Sequence, residues 1–189
     1  MNIKAKAKEF IEKVKNNILD IDDSQLEQVI NLIQSCNRIF TIGQGRSALV
    51  AQNSAIRLLQ VGFNVSVVGE DVLNIAPPIG GAGDLVIAIS GSGETTDVIT
   101  YCNAAKKKGA KVLAITSFDN SQLAKLADSL LIVKGRTSKW HYKSFVEREL
   151  YGEREQISIE GSLFEVSVLV LFEAIASILH EIMAGEKKS

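Results

Sequence analysis

Serines and glycines alternate in a short stretch near the middle of the chain, directly after an apolar run. Residues 84–89 are mostly apolar and partly β-branched, which predicts a buried strand. The stretch Ser90–Thr95 follows and leads into a helical pattern. A strand that turns tightly into a helix presents backbone N–H groups and the positive end of the helix dipole, which suits an anion. We expect Ser90, Ser92 and Thr95 to hold a phosphate, and an ordinary exposed turn is the alternative.

A second glycine-containing loop comes after the first predicted strand, Arg38–Ile42. Residues 43–48 read Gly-Gln-Gly-Arg-Ser-Ala and fit the G-x-G-x-x-A fingerprint of dinucleotide-binding loops. That fingerprint also requires an acidic residue at the end of the second strand, and Glu70 comes later than the expected spacing. A nucleotide-dependent oxidoreductase is therefore a candidate function that depends on this stretch alone. The absence of a G-x-x-x-x-G-K-[ST] sequence argues against a P-loop nucleotide hydrolase.

The two loops are expected to lie together. In a doubly wound sheet the first and third strands are neighbours at the switch point, and ligands bind outside the carboxyl ends of the strands there. Ser47 would then face Ser90, Ser92 and Thr95 across one crevice, on which two helix N-termini converge. Arg46 either adds positive charge to this crevice or pairs with an acidic neighbour at the surface.

The elements that position these loops alternate between strands and helices. Two amphipathic helices are predicted within residues 1–36, followed by five strands with intervening helices. This alternation predicts a parallel sheet covered on both faces, which is a three-layer αβα sandwich. Residues 134–159 are polar, charged and aromatic, and we expect them to form an exposed insert. Residues 160–184 predict a long helix that is apolar around most of its circumference, which favours packing against another subunit.

Composition and charge limit the classes of function. A chain of 189 residues with 46% hydrophobic and 23% charged residues predicts one soluble domain over residues 1–189. The formal net charge of −1 gives no electrostatic basis for binding nucleic acid or an acidic membrane. Cys36 and Cys102 lack metal-ligand spacing, so we expect reduced thiols, no metal and a cytoplasmic protein. No run of about 18 apolar residues is present, which predicts that no segment spans a membrane.

Both loops resemble those of the sugar isomerase (SIS) domain family, and within it the 6-phospho-3-hexuloisomerase group. The shared stretches are residues 43–47, 57–63, 68–70, 83–95 and 161–165. The resemblance implies a five-stranded, flavodoxin-like parallel sheet and a homo-oligomer, either a dimer or the group's homotetramer. It also implies a phosphosugar ligand without a metal or an organic cofactor. The residues that it places on the phosphate are Ser47, Ser90, Ser92 and Thr95.

The resemblance further implies a reaction. Members of the group move a carbonyl from C3 to C2 of a hexulose 6-phosphate through an enediol, which gives fructose 6-phosphate in the ribulose monophosphate route. The step needs a base, and a partly buried carboxylate suits it. The resemblance places this base at Glu165, near the start of the last helix, where a carboxylate that only favours the helix dipole is the alternative. Further substrate contacts are expected from Gly45, Arg46, Arg57, Gly91 and Gly93.

Arg57, Glu94 and the function of the chain each have an alternative interpretation. Arg57 fits a structural ion pair equally well, and we interpret Glu94 as a helix cap. A sensor that binds a phosphosugar without turning it over would keep both loops. Members of the family usually carry a histidine beyond the last helix, whereas the histidines here are His141 and His180, for which we expect structural or solvent-exposed roles. That difference favours the sensor, and the Gly-Ser-Leu-Phe-Glu sequence at 161–165 favours the isomerase.

Overall fold

The computed structural model describes residues 2–69, 81–136, 150–151 and 159–186. The short helix predicted at residues 70–76, His141 and most of the 134–159 insert lie outside these residues. Within the described residues, the predicted strands and the other predicted helices are all present, and they form a three-layer αβα sandwich.

Five parallel strands form the central sheet, as predicted. In chain order they are β1 (Arg38–Ile42), β2 (Val65–Val68), β3 (Asp84–Ile89), β4 (Lys111–Thr116) and β5 (Ser129–Ile132). Their spatial order is β2-β1-β3-β4-β5. All six residues of β3 are buried, because this strand lies in the middle of the sheet with helices on both faces. The winding of the sheet reverses between β1 and β3, which makes their junction the switch point.

Helices cover both faces of this sheet. They are α1 (Ile3–Leu19), α2 (Asp23–Gln34), α3 (Arg46–Val61), α4 (Thr96–Lys107), α5 (Gln122–Leu126) and α6 (Ile159–Glu186). Alternate residues of β3 supply the two cores: Leu85 and Ile87 pack with α2, α3 and α6, whereas Val86 and Ala88 pack with α4 and α5. Helix α4 begins two residues later than predicted, because Glu94 and Thr95 still belong to the turn.

The two N-terminal helices pack within the chain. Helix α1 lies against α6, and α2 lies against β5 and α6. Asn17 of α1 is buried, and its side-chain amide donates hydrogen bonds to the Lys134 carbonyl and to Ser167 Oγ of α6, both at 2.8 Å. A buried amide stabilises the fold when it is hydrogen-bonded in this way. Asn17 therefore ties α1 both to α6 and to the segment that follows β5.

Helix α6 is the longest and most apolar helix that the structure describes. Residues 162–185 are long and apolar enough, by length and composition, to cross a membrane. Half of the apolar stretch is buried inside the protein, where α6 packs against α1, α2 and α3. The core helix of a globular domain gives the same signal.

An ion pair joins β1 to β3 at the edge of the sheet where these strands begin. Arg38 and Asp84 are partners in the strand register, and the guanidinium donates to both carboxylate oxygens at 2.9 and 2.7 Å. The hydrogen-bonded Asp84 carboxylate raises the pKa of Arg38 above its ordinary value. This pair fixes the register of the two strands whose other ends carry the predicted site.

Candidate functional site

The two predicted loops lie at one edge of the sheet. Strands β1 and β3 are parallel neighbours, and Ile42 at the end of β1 pairs in register with Ala88 of β3. Both chains therefore leave the sheet at the same edge, into the loop before α3 and the loop before α4. A hydrogen bond joins the first of these loops to the first turn of α4, because Gln44 Nε2 donates to Asp97 Oδ2 at 3.1 Å. The predicted juxtaposition of the two junctions is confirmed.

Helices α3 and α4, which follow β1 and β3 at this edge, lack side-chain caps. Asn2, Asp22 and Ser121 accept hydrogen bonds from the first turns of α1, α2 and α5. Helices α3 and α4 have Gly45 and Thr95 at the N-cap position, and neither makes a side-chain capping bond. Gly45 has a φ of 58°, which a residue with a Cβ adopts at a cost. Two helix N-termini with uncapped N–H groups thus meet at the switch point, an arrangement that attracts an anion.

The Ser/Gly loop is held by its own hydroxyls. Ser90 Oγ is 2.8 Å from Thr95 Oγ1 and accepts a hydrogen bond from the Gly93 N–H at 3.1 Å. Ser92 Oγ accepts from the Glu94 N–H at 3.2 Å. A hydroxyl that accepts from the backbone still has its own hydrogen to donate. The loop is therefore shaped by the same side chains that the sequence predicts for the phosphate.

Strand β4 and helix α5 support this loop from the other side. The Gly91 carbonyl accepts from the Ser117 N–H, and the Gly93 carbonyl accepts from the Leu123 N–H. The Glu94 carboxylate accepts from the backbone and side-chain amides of Gln122, at 3.0 and 2.7 Å. Glu94 therefore has the capping role predicted for it, but the helix that it caps is α5.

Glu165 lies at the centre of the charged part of the site. It is 5% exposed, although it carries a carboxylate, and it is placed by the buried turn of α6 that includes Phe164. The Arg136 guanidinium donates a hydrogen bond to Glu165 Oε1. Arg46 lies 3.8 Å from the same oxygen and donates to Ser162 Oγ at 3.1 Å. Arg46 therefore both adds positive charge to the site and pairs with an acidic neighbour, because that neighbour is Glu165, the predicted base.

The remaining predicted residues lie as follows. Ser47 is buried in the first turn of α3, next to Arg46. Arg57 lies 11 residues further along α3 than Arg46, about 16 Å along the helix axis. Its Nε is 2.9 Å from a Glu173 carboxylate oxygen and its Nη1 is 2.6 Å from Gln60 Oε1. Of the two alternatives for Arg57, the structure contains the ion pair.

Sequence reasoning missed Arg136, Gln44 and Asp97. Arg136 was assigned to the exposed insert, yet its side chain is only 12% exposed. A usable signal was present: Arg136 follows β5 by four residues, so it leaves the sheet at the carboxyl edge where the other loops lie. In the described ranges, no three His, Cys, Asp or Glu side chains form a group that could hold a metal ion.

Comparison with known families agrees with this geometry. The SIS domain family matches residues 32–150, which contain all five strands and both loops. The chain belongs to the SIS domain family. The matched range ends before α6, so the position of Glu165 in this SIS domain comes from the structure.

Those relatives cover most of the chain. The 3-hexulose-6-phosphate isomerase of Bacillus subtilis is 34% identical over 167 residues, which is 88% of this chain and 83% of that protein. An uncharacterised protein of Archaeoglobus fulgidus is 37% identical over 166 residues, 88% of this chain and 84% of that protein. A Methanococcus jannaschii crystal structure, from which a function of 3-hexulose-6-phosphate isomerase was inferred, superposes with a TM-score of 0.71 at 26% identity and covers 93% of this chain and 92% of that one.

Proposed function

We propose that this SIS domain interconverts 3-hexulose 6-phosphate and fructose 6-phosphate through an enediol, with Glu165 as the base. The observation that carries the proposal is the convergence of two uncapped helix N-termini and a buried carboxylate at one edge of the sheet. Relatives named as 3-hexulose-6-phosphate isomerases support the choice of substrate. No metal or organic cofactor is part of the proposed reaction.

The phosphate is bound in this proposal by hydroxyls and helix ends. Ser90, Ser92 and Thr95 donate from the loop before α4, and Ser47 donates from the first turn of α3. The backbone at Gly45, Gly91 and Gly93 lets the chain approach the ligand closely. Arg46 supplies the positive charge that the Ser/Gly loop lacks. We assign the dinucleotide-like residues 43–48 to this phosphate site, and we therefore do not propose a nucleotide-dependent oxidoreductase.

The chemistry needs one proton acceptor beside the sugar carbons. Glu165 takes the proton from C2 of the 3-hexulose, the electron pair forms the C2–C3 double bond, and the carbonyl oxygen at C3 receives the negative charge. The hydroxyl proton then passes from the C2 oxygen to the C3 oxygen, which moves the negative charge to the C2 oxygen. Glu165 returns its proton to C3 while the C2 oxygen re-forms a carbonyl, which completes the isomerisation. Glu165 Oε2 suits this role, because it is buried and has no hydrogen-bond partner among the residues that the structure describes.

Replacing Glu165 with glutamine tests the proposal. The amide has the same shape but accepts no proton, so turnover of 3-hexulose 6-phosphate should fall by about 100-fold or more, the usual contribution of a general base. Stabilisation against heat by fructose 6-phosphate should persist. Glu173→Gln, on an exposed turn of the same helix, is the control and should keep full turnover.

Two outcomes would contradict the proposed function. A parent protein that is stabilised by fructose 6-phosphate but turns over no hexulose 6-phosphate is the sensor. A Glu165→Gln variant with parental turnover would remove Glu165 from the reaction and leave the substrate assignment standing.

The wider setting follows from this function. We propose that the chain is a single cytoplasmic domain, that it acts in the ribulose monophosphate route and that it assembles as a homo-oligomer. Exposed apolar side chains on α3 and α6 support the assembly, and they include Leu49, Ile56 and Ile178 at 62%, 53% and 47% exposure.

A further inference from the structure

Arg136 and Glu165 form a buried pair between two elements that are distant in sequence. The side chains are 12% and 7% exposed, and the guanidinium hydrogen-bonds to only one of the two carboxylate oxygens, Oε1. Oε2 is buried and lacks a partner within the described part of the chain. An ion pair built for stability would satisfy both oxygens, because an unpaired buried oxygen costs free energy.

The backbone that carries Arg136 is fixed at several points. Ser117 Oγ donates to the Val133 carbonyl at 2.7 Å and accepts from the Arg136 N–H at 3.3 Å. Asn17 holds the Lys134 carbonyl at 2.8 Å. Gly135 has a φ of 138° and lies so close to the Phe164 backbone that an added Cβ would clash with it. The guanidinium is therefore presented from a rigid support.

The Arg136 side chain also lies directly on the Ser/Gly loop. A Cβ built on Gly91 would sit 2.6 Å from Arg136 Nε, 2.7 Å from its Cγ and 3.1 Å from Phe164 Cδ1. Glycine at this position leaves the space that the arginine occupies. The guanidinium thus lies between the loop assigned to the phosphate and the carboxylate assigned to the proton transfer.

We propose that Arg136 orients Glu165 and balances the charge that moves during the reaction. This inference rests on the proposed function. Before the reaction, Arg136 compensates the Glu165 carboxylate through Oε1 and leaves Oε2 for the substrate. When Oε2 accepts the C2 proton, Glu165 becomes neutral and the negative charge passes to the enediolate oxygen at C3. The Arg136 charge, no longer neutralised by Glu165, then stabilises that oxygen.

Arg46 is the weaker partner of the same carboxylate. Its nitrogen is 3.8 Å from Glu165 Oε1 and its side chain is 46% exposed, so water screens its charge. Arg136 is nearer and is shielded from water, and an interaction in a shielded site is stronger. The charge balance therefore depends on Arg136 more than on Arg46.

The test is steady-state turnover of 3-hexulose 6-phosphate by Arg136→Gln, Arg136→Lys and Gly91→Ala. Lys134→Gln is the matched control, since it removes one charge from the same segment where the lysine is 68% exposed. We expect kcat of Arg136→Gln to fall about 100-fold, as when one donor to a developing oxyanion is removed, while KM changes little. Gly91→Ala should lower kcat in the same sense, because its Cβ displaces the guanidinium. Lys134→Gln should match the parent.

Arg136→Lys distinguishes positioning from a purely structural role. A lysine keeps the charge and should restore thermal stability, but it lacks the planar guanidinium, so kcat should stay about tenfold below the parent. Full recovery of kcat together with stability would overturn the proposal, as would a rise in KM alone, which would mean that Arg136 binds the phosphate. If the parent itself has no turnover, the proposed function falls and this inference falls with it. An active parent with an equally active Arg136→Gln overturns the inference alone.

Discussion

The serine hydroxyls of the Ser/Gly loop support the turn, and in the proposed function they also bind the phosphate. Ser90 is 2% exposed and supports the turn through the Gly93 N–H and Thr95, whereas Ser92 is half-buried and supports it only through the Glu94 N–H. Their types and spacing were sufficient to predict the loop, because alternating serine and glycine after a buried strand has few other uses. The sequence could place Arg136 at the carboxyl edge of the sheet, because it follows β5, but not its pairing with Glu165, since 29 residues separate them and only the tertiary fold brings them together.

These two tasks predict different effects for Ser90→Ala and Ser92→Ala. Each variant should bind fructose 6-phosphate roughly 10- to 150-fold more weakly, because a hydrogen bond to a charged group contributes about 1.5–3 kcal/mol. Ser90→Ala should also lower the free energy of unfolding by about 1 kcal/mol, because it removes the hydroxyl contacts to the Gly93 N–H and to Thr95, while the Gly93 N–H keeps its hydrogen bond to the Ser90 carbonyl. Calorimetric titration and denaturant unfolding measure both effects, with Ser35→Ala as the control. Unchanged binding in both serine variants would exclude this loop as the phosphate site.

Helices α3 and α6 each have a buried face and exposed apolar side chains. Their buried faces pack on each other and on the sheet, while α3 leaves Leu49, Ile56 and Leu59 exposed at helical spacing. The sequence predicted these helices well, because apolar residues recur at helical spacing over many turns of each helix. It could not show which apolar residues remain outside the core of one chain.

If these exposed residues form a subunit contact, a charge there should split the oligomer. Ile56→Glu should reduce the molar mass in light scattering, since it places an unpaired carboxylate in an apolar contact at a cost of several kcal/mol. Ile11→Glu is the control, because Ile11 is similarly exposed on α1 and should leave the mass unchanged. A parent that is already monomeric would contradict the assembly.

Across the whole molecule, as far as the structure describes its residues, three buried or half-buried groups favour their neutral forms. Burial raises the pKa of Cys102 and Tyr101 to about 12 and that of Cys36 to about 11. Both cysteines are free thiols, and Cys102 is fully buried in the α4 core. The expectation of reduced thiols agrees with these values, because protonated and shielded thiols react slowly.

The raised pKa values predict a loss of stability in alkali. The unfolded chain ionises its thiols from about pH 9, before the folded chain does, so the full contribution is present below that pH and is lost towards the folded pKa. Denaturant unfolding between about pH 8 and pH 11 should show a decline of up to about 1.4 kcal/mol per pH unit from Cys102. Cys102→Ala should flatten this decline, whereas Val98→Ala, which removes buried apolar atoms from the same helix, should keep it. Equal slopes in the parent and Cys102→Ala would refute the prediction.

Deuterium exchange into fructose 6-phosphate tests whether a base of this protein acts at the C2–C3 bond of the sugar. A base beside the C2–C3 bond removes the C3 proton of this ketose in the reverse reaction, and heavy water then supplies a deuteron to that carbon. We predict that the protein erases the C3 proton signal in an NMR spectrum, that the C1 signals persist and that Glu165→Gln causes no exchange. A C3 signal that survives prolonged incubation with the parent, or exchange at C1 instead, would contradict proton transfer between C2 and C3 by Glu165.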